Sequence, residues 1–571
     1  MKKFTLGTPE AIVPSGFCKG FDYRETEVAW PASRFTCRQT KRGFLIEFPL
    51  EDDAQIYGFG LQLKQFNHRG RKLKLSVNAD PVSNNGDSHA PVPFFVTNKG
   101  YGMYFDTARY AEFYCGSRKN DGSRAIAEKA ESKVGTTTEE LYAVRSESNL
   151  VMQVLIPGAE GVDVYVIEGG TITDIVKQYN MLSGGGCDVP EWGLGVLYRC
   201  YGKYTQDQVM AMADYFRNSD IPCDILGLEP GWQTRTYSCS YVWSERFPEP
   251  QKMIDGLKAK NFHLNLWEHA FCHPSSPIHE ELKPHSGDFM VWGSVVPDFA
   301  DPEARKIFAG YQKQYLVDAG IDGFKLDECD SSDNTGSWSF PLTSEFPSGL
   351  DGEQYHSLFG TLYSQVMMEA LGDTKTLSEV RNMGALCAGY PFVLYSDLYD
   401  HRDFVRGVAQ SSFSGILWTP EIRHAGSKEE LIRRMQAVVF SVQCLINAWY
   451  CEEVPWAKLD CEDEVRELLK LRETLVPMLK AAFDEYRDTG KPPIRALVMD
   501  YTDDPETYNI DNEYMFCDDL LVAPIAWGTG DERDVYLPVS EKWCDYFTGE
   551  PVESGKFRVK TAGIPVYRKV K

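Results

Sequence analysis

The chain has little that would suit a membrane or a nucleic acid. No uninterrupted apolar run approaches the ~18 residues of a membrane span, and residues 1–10 contain no continuous apolar segment of a signal peptide. Lysine and arginine total 59 against 83 aspartates and glutamates, which gives a net charge of −24. Nucleic acids and anionic membranes both bind clustered positive charge. We therefore expect neither a nucleic-acid partner nor a membrane partner.

Cysteine is present, but it is not arranged for disulfides or for zinc. The 15 cysteines are odd in number, scattered and mostly set in apolar stretches, as at Cys223, Cys387 and Cys444. Cys18 and Cys37 lack the second cysteine of a CxxC pair. Because reduced core thiols are typical of cytoplasmic proteins, we expect a cytoplasmic location and no metal centre.

Several common catalytic signatures are missing from the sequence. No glycine-rich phosphate loop follows a predicted strand, and the G-x-S-x-G turn of serine hydrolases is not evident. His263, His269 and His273 lack the HExxH spacing of zinc hydrolases, so we interpret them as cleft or structural residues. A metal-dependent hydrolase is kept as an alternative, and no cofactor is expected.

The hydrophobic periodicity changes twice along the 571 residues, which are too many for one core. Residues 1–186 contain short alternating runs, such as 44–48 and 140–144, and predict an N-terminal β-sandwich. Residues 187–485 alternate eight strand-like runs with helical periodicity, which predicts an α/β fold of the (β/α)8 TIM-barrel type, with a doubly wound sheet as the alternative. Residues 486–571 return to short strands and predict a C-terminal β domain.

The predicted elements can be stated by range. The barrel strands are predicted at 192–198, 223–229, 262–268, 321–326, 376–381, 392–397, 415–421 and 438–449, with helices at 206–219 and 302–319. The C-terminal strands are predicted at 496–500, 519–523, 535–537 and 566–570.

The predicted strand at 321–326 ends abruptly in acidic residues. Its apolar run passes into Asp327-Glu328-Cys329-Asp330, which places three carboxylates in four positions. In parallel α/β folds the chemistry lies at the carboxyl ends of the strands. Asp327 is therefore the first candidate for a working carboxylate, although a solvated acidic loop would have the same local sequence.

Most of the other predicted strands also end in polar or aromatic residues: Glu229, Trp267, Glu268, Arg381, Asp397, Trp418 and Glu421. Such ends converge on one face of a barrel and predict a catalytic cleft. Many carboxylates with aromatic rings favour glycoside chemistry, which needs a proton donor and a second carboxylate beside the anomeric carbon. Acids and an arginine can hold sugar hydroxyls, and tryptophan faces can pack on C–H surfaces.

A series of short motifs also runs through the chain in a characteristic order. It comprises Tyr57-Gly58-Phe59-Gly60, Asn78-Ala79-Asp80, His89, Pro93-Phe94, Gly100-Tyr101-Gly102, the segments 190–195, 221–224, 246–248, 297–299 and 302–305, Leu520-Leu521-Val522-Ala523-Pro524 and Val535-Tyr536-Leu537-Pro538. This series resembles glycoside hydrolase family 31, the α-glucosidase and α-xylosidase group, nearly from end to end. The resemblance implies the same order of sandwich, barrel and C-terminal β domain.

The resemblance also implies roles for individual residues. Phe324-Lys325-Leu326-Asp327 matches the strand with the family's nucleophilic aspartate, and Tyr395-Ser396-Asp397 matches the segment with the acid/base. Asp400 and Asp403 are nearby competitors for the second role. The candidate substrate-binding residues are Glu229, Trp267, Lys325, Arg381, Trp418, Glu421 and Asn447.

Three pocket positions depart from the family pattern. Glu421 stands where aspartate is usual, and the two glycines that should follow Ile422 are absent. Glu229 stands where many members have aspartate, and the eighth strand lacks a histidine for which Asn447 or Trp449 substitutes. These departures concern the sugar rather than the reaction. Galactose, xylose, N-acetylhexosamine and sulfoquinovose therefore stay open beside glucose.

The implied function is a retaining, exo-acting α-glycosidase that forms a covalent glycosyl-Asp327 intermediate. Among such enzymes, an α-glucosidase is the first candidate. Asp327 is expected to be ionised beside Lys325 and Arg381, and Asp397 is expected to be neutral because of its neighbour's charge and partial burial. An α-transglycosylase and an inactive carbohydrate-binding protein are the alternatives. The expected partner is an oligosaccharide or another α-glycoside, and a homo-oligomer is left open.

Overall fold

Two five-stranded antiparallel sheets form the N-terminal part of the protein. The computed structural model describes residues 1–81, 83–119, 150–331 and 338–570. The strand orders are Lys2–Thr8, Glu160–Glu168, Tyr101–Asp106, Pro91–Thr97 and Ile56–Gly60 in one sheet, and Thr36–Thr40, Gly43–Pro49, Leu150–Pro157, Glu112–Arg118 and Lys72–Lys74 in the other. Apolar side chains from both sheets pack in one core, as in a β-sandwich. The N-terminal sandwich is thereby confirmed, while the predicted strand at 140–144 lies outside the described residues.

Eight parallel strands form the barrel. They are β1 (Val196–Arg199), β2 (Ile225–Leu228), β3 (His263–His269), β4 (Gly323–Asp327), β5 (Ser378–Val380), β6 (Phe392–Leu394), β7 (Glu421–Ile422) and β8 (Cys444–Asn447). β1 pairs with both β2 and β8. The backbone of Leu394 in β6 bonds to Leu417 and Thr419 at 2.8 and 3.0 Å, which links β6 to the segment before β7. Because this ring of pairs returns to its start, the fold is a TIM barrel and not a doubly wound sheet.

In the described part of the barrel region, seven helices of at least ten residues accompany these strands: α1 (Gln206–Asn218), α2 (Pro250–Ala259), α3 (Pro302–Gln312), α4 (Gly352–Leu371), α5 (His401–Gln410), α6 (Lys428–Val439) and α7 (Glu462–Thr489). α1 and α4 begin with capping boxes at Thr205 and Asp351, whose side chains accept a hydrogen bond from the third helical residue. Residues 381–391, between β5 and β6, form a loop. Within the described ranges, no helix is both long and apolar enough to span a lipid bilayer.

The C-terminal part contains a six-stranded sheet of the order Ile494–Ala496, Tyr514–Phe516, Leu520–Val522, Val566–Lys569, Trp543–Asp545 and Pro551–Val552, and a pair formed by Glu532–Leu537 and Gly555–Lys560. The predicted strand at 496–500 is wrong, because Leu497–Asp500 is a short helix. Asp500 at its end accepts hydrogen bonds from the Arg495 guanidinium. A short apolar run does not distinguish a strand from a buried turn of helix, so periodicity could not find this difference.

Candidate active site

Asp327 is held at the carboxyl end of β4 by donors from two directions. The indole Nε1 of Trp267, on the neighbouring strand β3, donates to Asp327 Oδ2 at 2.6 Å. The backbone N–H of Glu328 donates to Oδ1 at 2.9 Å. Asp327 is 7% exposed. Two donors on a nearly buried carboxyl fix its orientation.

The guanidinium of Arg381, which follows β5, joins three carboxylates. Its Nη1 donates to Asp327 Oδ1 at 3.4 Å and to Asp397 Oδ2 at 2.6 Å. Its Nε donates to Asp330 Oδ2 at 3.0 Å. Because Asp327 and Asp397 contact the same nitrogen atom, those two oxygens cannot be farther apart than the sum of the two distances.

Of the three aspartates considered after β6, Asp397 is the one that joins this cluster. Its side chain is half exposed, and its Oδ1 also accepts a hydrogen bond from Arg423 at 3.3 Å. Asp400 instead caps helix α5 by accepting two backbone N–H groups at 3.0 Å, and Asp403 forms an ion pair with Lys64.

The charge state of Asp397 differs from the sequence expectation. Partial burial would raise the pKa of this carboxyl, but the positive charges of Arg381, Lys325 and Arg423 outweigh it and hold the pKa well below its usual range. The expectation of a neutral Asp397 is therefore wrong for the ligand-free protein. Arg423, which stands at the first of the two missing glycines, adds a positive charge beside Asp397 that outweighs part of the effect of the neighbouring acid.

Glu421 and Asn447 extend the cluster to β7 and β8. Arg423 Nε donates to Glu421 Oε1, and Asn447 Nδ2 donates to Glu421 Oε2 at 2.7 Å. Burial raises the pKa of Glu421, and the charge of Arg423 opposes this rise. In the part of the chain that the structure describes, Asn447 Oδ1 has no hydrogen-bond partner. A buried acceptor of this kind suits a hydroxyl donor.

A second charged network lies deeper in the barrel and includes Glu229. Arg199 forms ion pairs with Glu229 and with Glu379, the latter at 2.9 Å, and donates to Asn265 at 2.8 Å. Lys325 Nζ lies 3.3 Å from both carboxylate oxygens of Glu229. Burial raises the pKa of Glu379 to about 7, although the charge of Arg199 lowers it. The network thus fixes Glu229 at the inner end of the site.

Trp418 is not part of either network. Its indole Nε1 donates to the carbonyl of Phe404 in α5 at 3.3 Å, and its ring packs against Gly407 of the same helix, where Leu63 also lies. The expectation that Trp418 packs on the substrate is therefore corrected. The segment before β7 is irregular, and side chains alternate between the two faces of a strand, so the sequence could not show on which face of the barrel this ring lies.

His89 belongs to the motif series but not to the predicted site residues, and the structure places it behind the cluster. The side chain comes from the N-terminal sandwich and is fully buried. Its Nδ1 is hydrogen-bonded to Asp330 Oδ2 and its Nε2 to Ser396 Oγ, both at 2.7 Å. His89 thus connects the segment after Asp327 with the residue before Asp397. Only the folded chain brings these three segments together.

The three histidines kept for a zinc site are separated. His263 and His269 lie at opposite ends of β3, and the His263 ring stacks on Trp192 with ring centroids 3.9 Å apart. Burial lowers the pKa of His269 to about 3. Among the described residues, no group of three or more His, Cys, Asp or Glu side chains is arranged to hold a metal ion.

Sequence profiles of three domains match the chain in order. They are the N-terminal galactose mutarotase-like domain of glycosyl hydrolase 31 at residues 23–113, the TIM-barrel domain of glycosyl hydrolases family 31 at 187–482, and the family 31 C-terminal domain at 490–570. The barrel profile spans the region in which all eight barrel strands occur.

Two curated relatives match over almost the whole chain. An α-xylosidase from Emericella nidulans is 24% identical over 91% of this chain and 66% of its own length. An α-glucosidase 2 from Bacillus thermoamyloliquefaciens is 25% identical over 92% of this chain and 67% of its own length. The chain therefore spans about two thirds of the length of these relatives.

A solved structure shares the fold. The family 31 α-xylosidase from a soil metagenome, solved with xylose, superposes with a TM-score of 0.77 at 21% identity and covers 94% of this chain and 81% of its own. The barrel profile alone covers more than half of the sequence, and the profiles on either side occur in the family's order. The chain belongs to glycoside hydrolase family 31.

Proposed function

We propose that the protein is a retaining, exo-acting α-glycosidase in which Asp327 attacks the anomeric carbon and Asp397 is the acid/base. The shared contact of both carboxylates with Arg381 Nη1 carries this proposal. The two contact distances together are shorter than the ~6.5–9.5 Å by which inverting enzymes separate their carboxyl groups to admit a water molecule. The geometry therefore favours attack by Asp327 itself.

Each residue around Asp327 has a part in the first step. Trp267 and the Glu328 N–H hold the carboxylate in one orientation through hydrogen bonds to its two oxygens. Attack by an Asp327 oxygen forms a glycosyl ester while the bond from the anomeric carbon to the leaving oxygen breaks. Asp397 donates its proton to that leaving oxygen and later removes a proton from the attacking water.

Asp397 must gain a proton before this step, since Arg381 and Arg423 hold it ionised in the free protein. A bound substrate covers the half-exposed carboxyl, and the loss of water raises its pKa. The negative charge of Asp327 also favours the protonated form. Formation of the ester removes that charge, which lowers the pKa of Asp397 again and converts it from an acid into a base.

Arg423 should therefore control the pH dependence. The positive charge of Arg423 stabilises the ionised form of Asp397 and so lowers the pKa of this acid. Because less of the enzyme then carries the proton that the leaving oxygen needs, kcat/KM is expected to fall as the pH rises through the neutral range. Arg423→Gln removes one of the positive charges near Asp397, so the alkaline limb of the kcat/KM profile should move upward by about one pH unit. An unchanged or lowered limb would contradict the assignment of Asp397 as the acid.

The pocket for the terminal sugar is assigned to Glu229, Glu421 and Asn447. All three are nearly or fully buried, and the unpartnered Asn447 Oδ1 supports a hydrogen bond from a sugar hydroxyl. Glucose is the first candidate. Galactose, xylose, N-acetylhexosamine and sulfoquinovose are tested beside it. Glu229 and Glu421 are longer than the aspartates that are usual at these positions, and Asn447 is shorter than the usual histidine, so the shape of the pocket differs.

The test is turnover of α-glycosyl fluorides and 4-nitrophenyl α-glycosides of these sugars, with the anomer released first followed by proton NMR. We expect the α-anomer to appear before mutarotation. Release of the β-anomer first would contradict a retaining mechanism, and no turnover of any substrate would favour a carbohydrate-binding protein. Glycosyl transfer to a sugar acceptor at high substrate concentration would support the α-transglycosylase alternative.

Two further expectations are proposed with this function. The domain limits are placed at residues 1–186, 187–485 and 486–571. A cytoplasmic location is also proposed, because all 15 cysteine side chains are free thiols and a reducing compartment keeps thiols in this state.

A further inference from the structure

The side chain of Tyr399 joins two loops at the catalytic face of the barrel. Tyr399 follows Asp397 by two positions, in the loop between β6 and α5, and it reaches the loop between β7 and α6. There its hydroxyl donates to the carbonyl of His424 and accepts from the N–H of Arg423, both at 3.1 Å. The phenol therefore holds the backbone of two consecutive residues of the other loop.

Arg423 makes the reciprocal contact. Its Nη2 donates to the carbonyl of Ser396 at 3.1 Å and to Asp397 Oδ1 at 3.3 Å. A side chain from each loop is thus bonded to the backbone of the other, and Asp397 lies where they meet. We call this pair of contacts the Tyr399–Arg423 clamp. Because its bonds run in both directions, the clamp opposes movement of one loop past the other.

The ring of Tyr399 is also held by a third element, helix α6. The guanidinium of Arg434 lies 3.7 Å from the ring centroid, and its Nη2 donates to the carbonyl of Tyr399 at 3.1 Å. Arg434 is 4% exposed and is ion-paired to Glu430 at 3.0 Å. A guanidinium over an aromatic face attracts it, and more strongly where water is excluded. The phenol therefore has a support that does not depend on Arg423.

The position of Arg423 matters because two acids share its guanidinium. Its Nε is ion-paired to Glu421, while its Nη2 reaches Asp397. A guanidinium that moves toward Glu421 stabilises the ionised form of Asp397 less, since the interaction of two charges weakens with distance. A contact that fixes the backbone of Arg423 therefore influences how readily Asp397 holds a proton.

Other groups also act on Asp397, from the ends of β4 to β7: Arg381, Lys325, Asp327, Glu328, Glu421 and Tyr395. The cations favour the ionised carboxylate, and the acids favour the protonated one. The charge of Arg423 is one of three positive charges in this balance, so a change in its position should shift the balance and not remove it.

The Tyr399 hydroxyl contributes no charge of its own. Burial raises the pKa of Tyr399 to about 12, so the phenol is neutral over the pH range in which a catalytic acid titrates. Removal of the hydroxyl therefore takes no charge away from the site. An altered titration of Asp397 after its removal would report the position of Arg423.

We propose that Tyr399 is a positioning residue for the acid/base: it holds Arg423 against Asp397 and thereby sets the pH above which the enzyme loses activity. This inference rests on the proposed glycosidase function, in which Asp397 is the acid. Tyr399 acts through Arg423 and has no contact with the reacting atoms in this role.

The test is a double-mutant cycle that follows the alkaline limb of the kcat/KM profile on a hydrolysed 4-nitrophenyl α-glycoside. Tyr399→Phe keeps the ring and removes the two hydroxyl bonds, so the limb should move upward by about half a pH unit. In the Arg423→Gln background the guanidinium is absent, so adding Tyr399→Phe should give no further movement. A purely structural role would give equal effects in both backgrounds.

Tyr215→Phe is the matched control. The Tyr215 hydroxyl also bridges two elements, because it donates to Glu462 of α7 at 2.6 Å and accepts from the indole of Trp456 at 2.8 Å. Tyr215 lies in α1, and its loss of a doubly bonded hydroxyl is chemically the same. The alkaline limb of Tyr215→Phe should coincide with that of the wild type.

Hydrogen exchange measured by mass spectrometry gives a second result that needs no turnover. In Tyr399→Phe the N–H of Arg423 loses its acceptor, so this amide should exchange about fivefold faster, the effect of one hydrogen bond. Arg423→Gln removes the reciprocal contacts, so peptides that cover residues 395–400 should also exchange faster. Tyr215→Phe should change neither region.

The outcomes separate this inference from the proposed function. If the wild type hydrolyses its glycoside but Tyr399→Phe leaves the alkaline limb in place, or shifts it equally with and without Arg423, the positioning role is overturned and the glycosidase assignment stands. If no glycoside of the sugar panel is hydrolysed, the glycosidase assignment falls and the positioning role falls with it. Unchanged exchange at Arg423 in Tyr399→Phe would overturn the clamp itself, whatever the activity.

Discussion

Replacement of Asp327 by asparagine is expected to lower kcat/KM for every substrate by at least ~10⁴-fold, the scale on which loss of a nucleophile acts. The amide cannot form the glycosyl ester, and this loss does not depend on the leaving group. Asparagine keeps the shape of the side chain, and its oxygen can still accept the hydrogen bond from Trp267. The fold should therefore persist, which thermal unfolding can verify.

The matched control is an aspartate that lies directly before the same strand, β4. Asp322 precedes β4 at the opposite end of the barrel, where it is paired with His263. Asp322→Asn should keep wild-type turnover of the same α-glycosides. Substantial activity in Asp327→Asn, or an equal loss in Asp322→Asn, would show that the reaction does not depend on Asp327.

Replacement of Asp397 by alanine is expected to give a loss that depends on the leaving group. General acid catalysis contributes about 10²–10⁴-fold when the leaving oxygen needs a proton, so turnover of an oligosaccharide should fall by that factor. Fluoride leaves without a proton, so formation of the glycosyl-enzyme from an α-glycosyl fluoride should be nearly unaffected. Added azide should then restore turnover and yield the α-glycosyl azide, because this anion attacks without a general base.

Asp400 provides the comparison for this variant, since it is the nearest competing aspartate. Its carboxylate caps helix α5, so Asp400→Ala should cost about 1 kcal/mol of unfolding free energy and retain the same dependence on leaving group as the wild type. If azide rescues Asp400→Ala rather than Asp397→Ala, the acid/base role belongs to Asp400.

The broad organisation of this protein followed from patterns that are local in the chain. Strands alternate with helices because apolar residues recur at periods near 2 and 3.6, and these periods are readable without a structure. The acidic end of β4 was also visible, since Asp327 follows directly on a short apolar run. In a TIM barrel the carboxyl ends of all strands lie on one face, which made the convergence of Glu229, Arg381 and Asp397 predictable.

Predictions failed where the outcome depended on a neighbour that is distant in sequence. Trp418 lies in a predicted strand, yet its ring packs on helix α5. The run at 496–500 is apolar enough for a strand, yet it forms a turn of helix beside Arg495. In both cases the backbone path, rather than composition, selects the face or the conformation.

The sequence by itself therefore determined the architecture and the family, and it supplied the two carboxylates that we propose as catalytic, because strand ends and motif order are properties of consecutive residues. The tertiary structure decided the charge of Asp397, which depends on Arg381 and Arg423 at the ends of two other strands. It also decided that His89 of the sandwich supports the site from behind. Electrostatic interactions and hydrogen bonds depend on distances in space, and no sequence pattern specifies those distances.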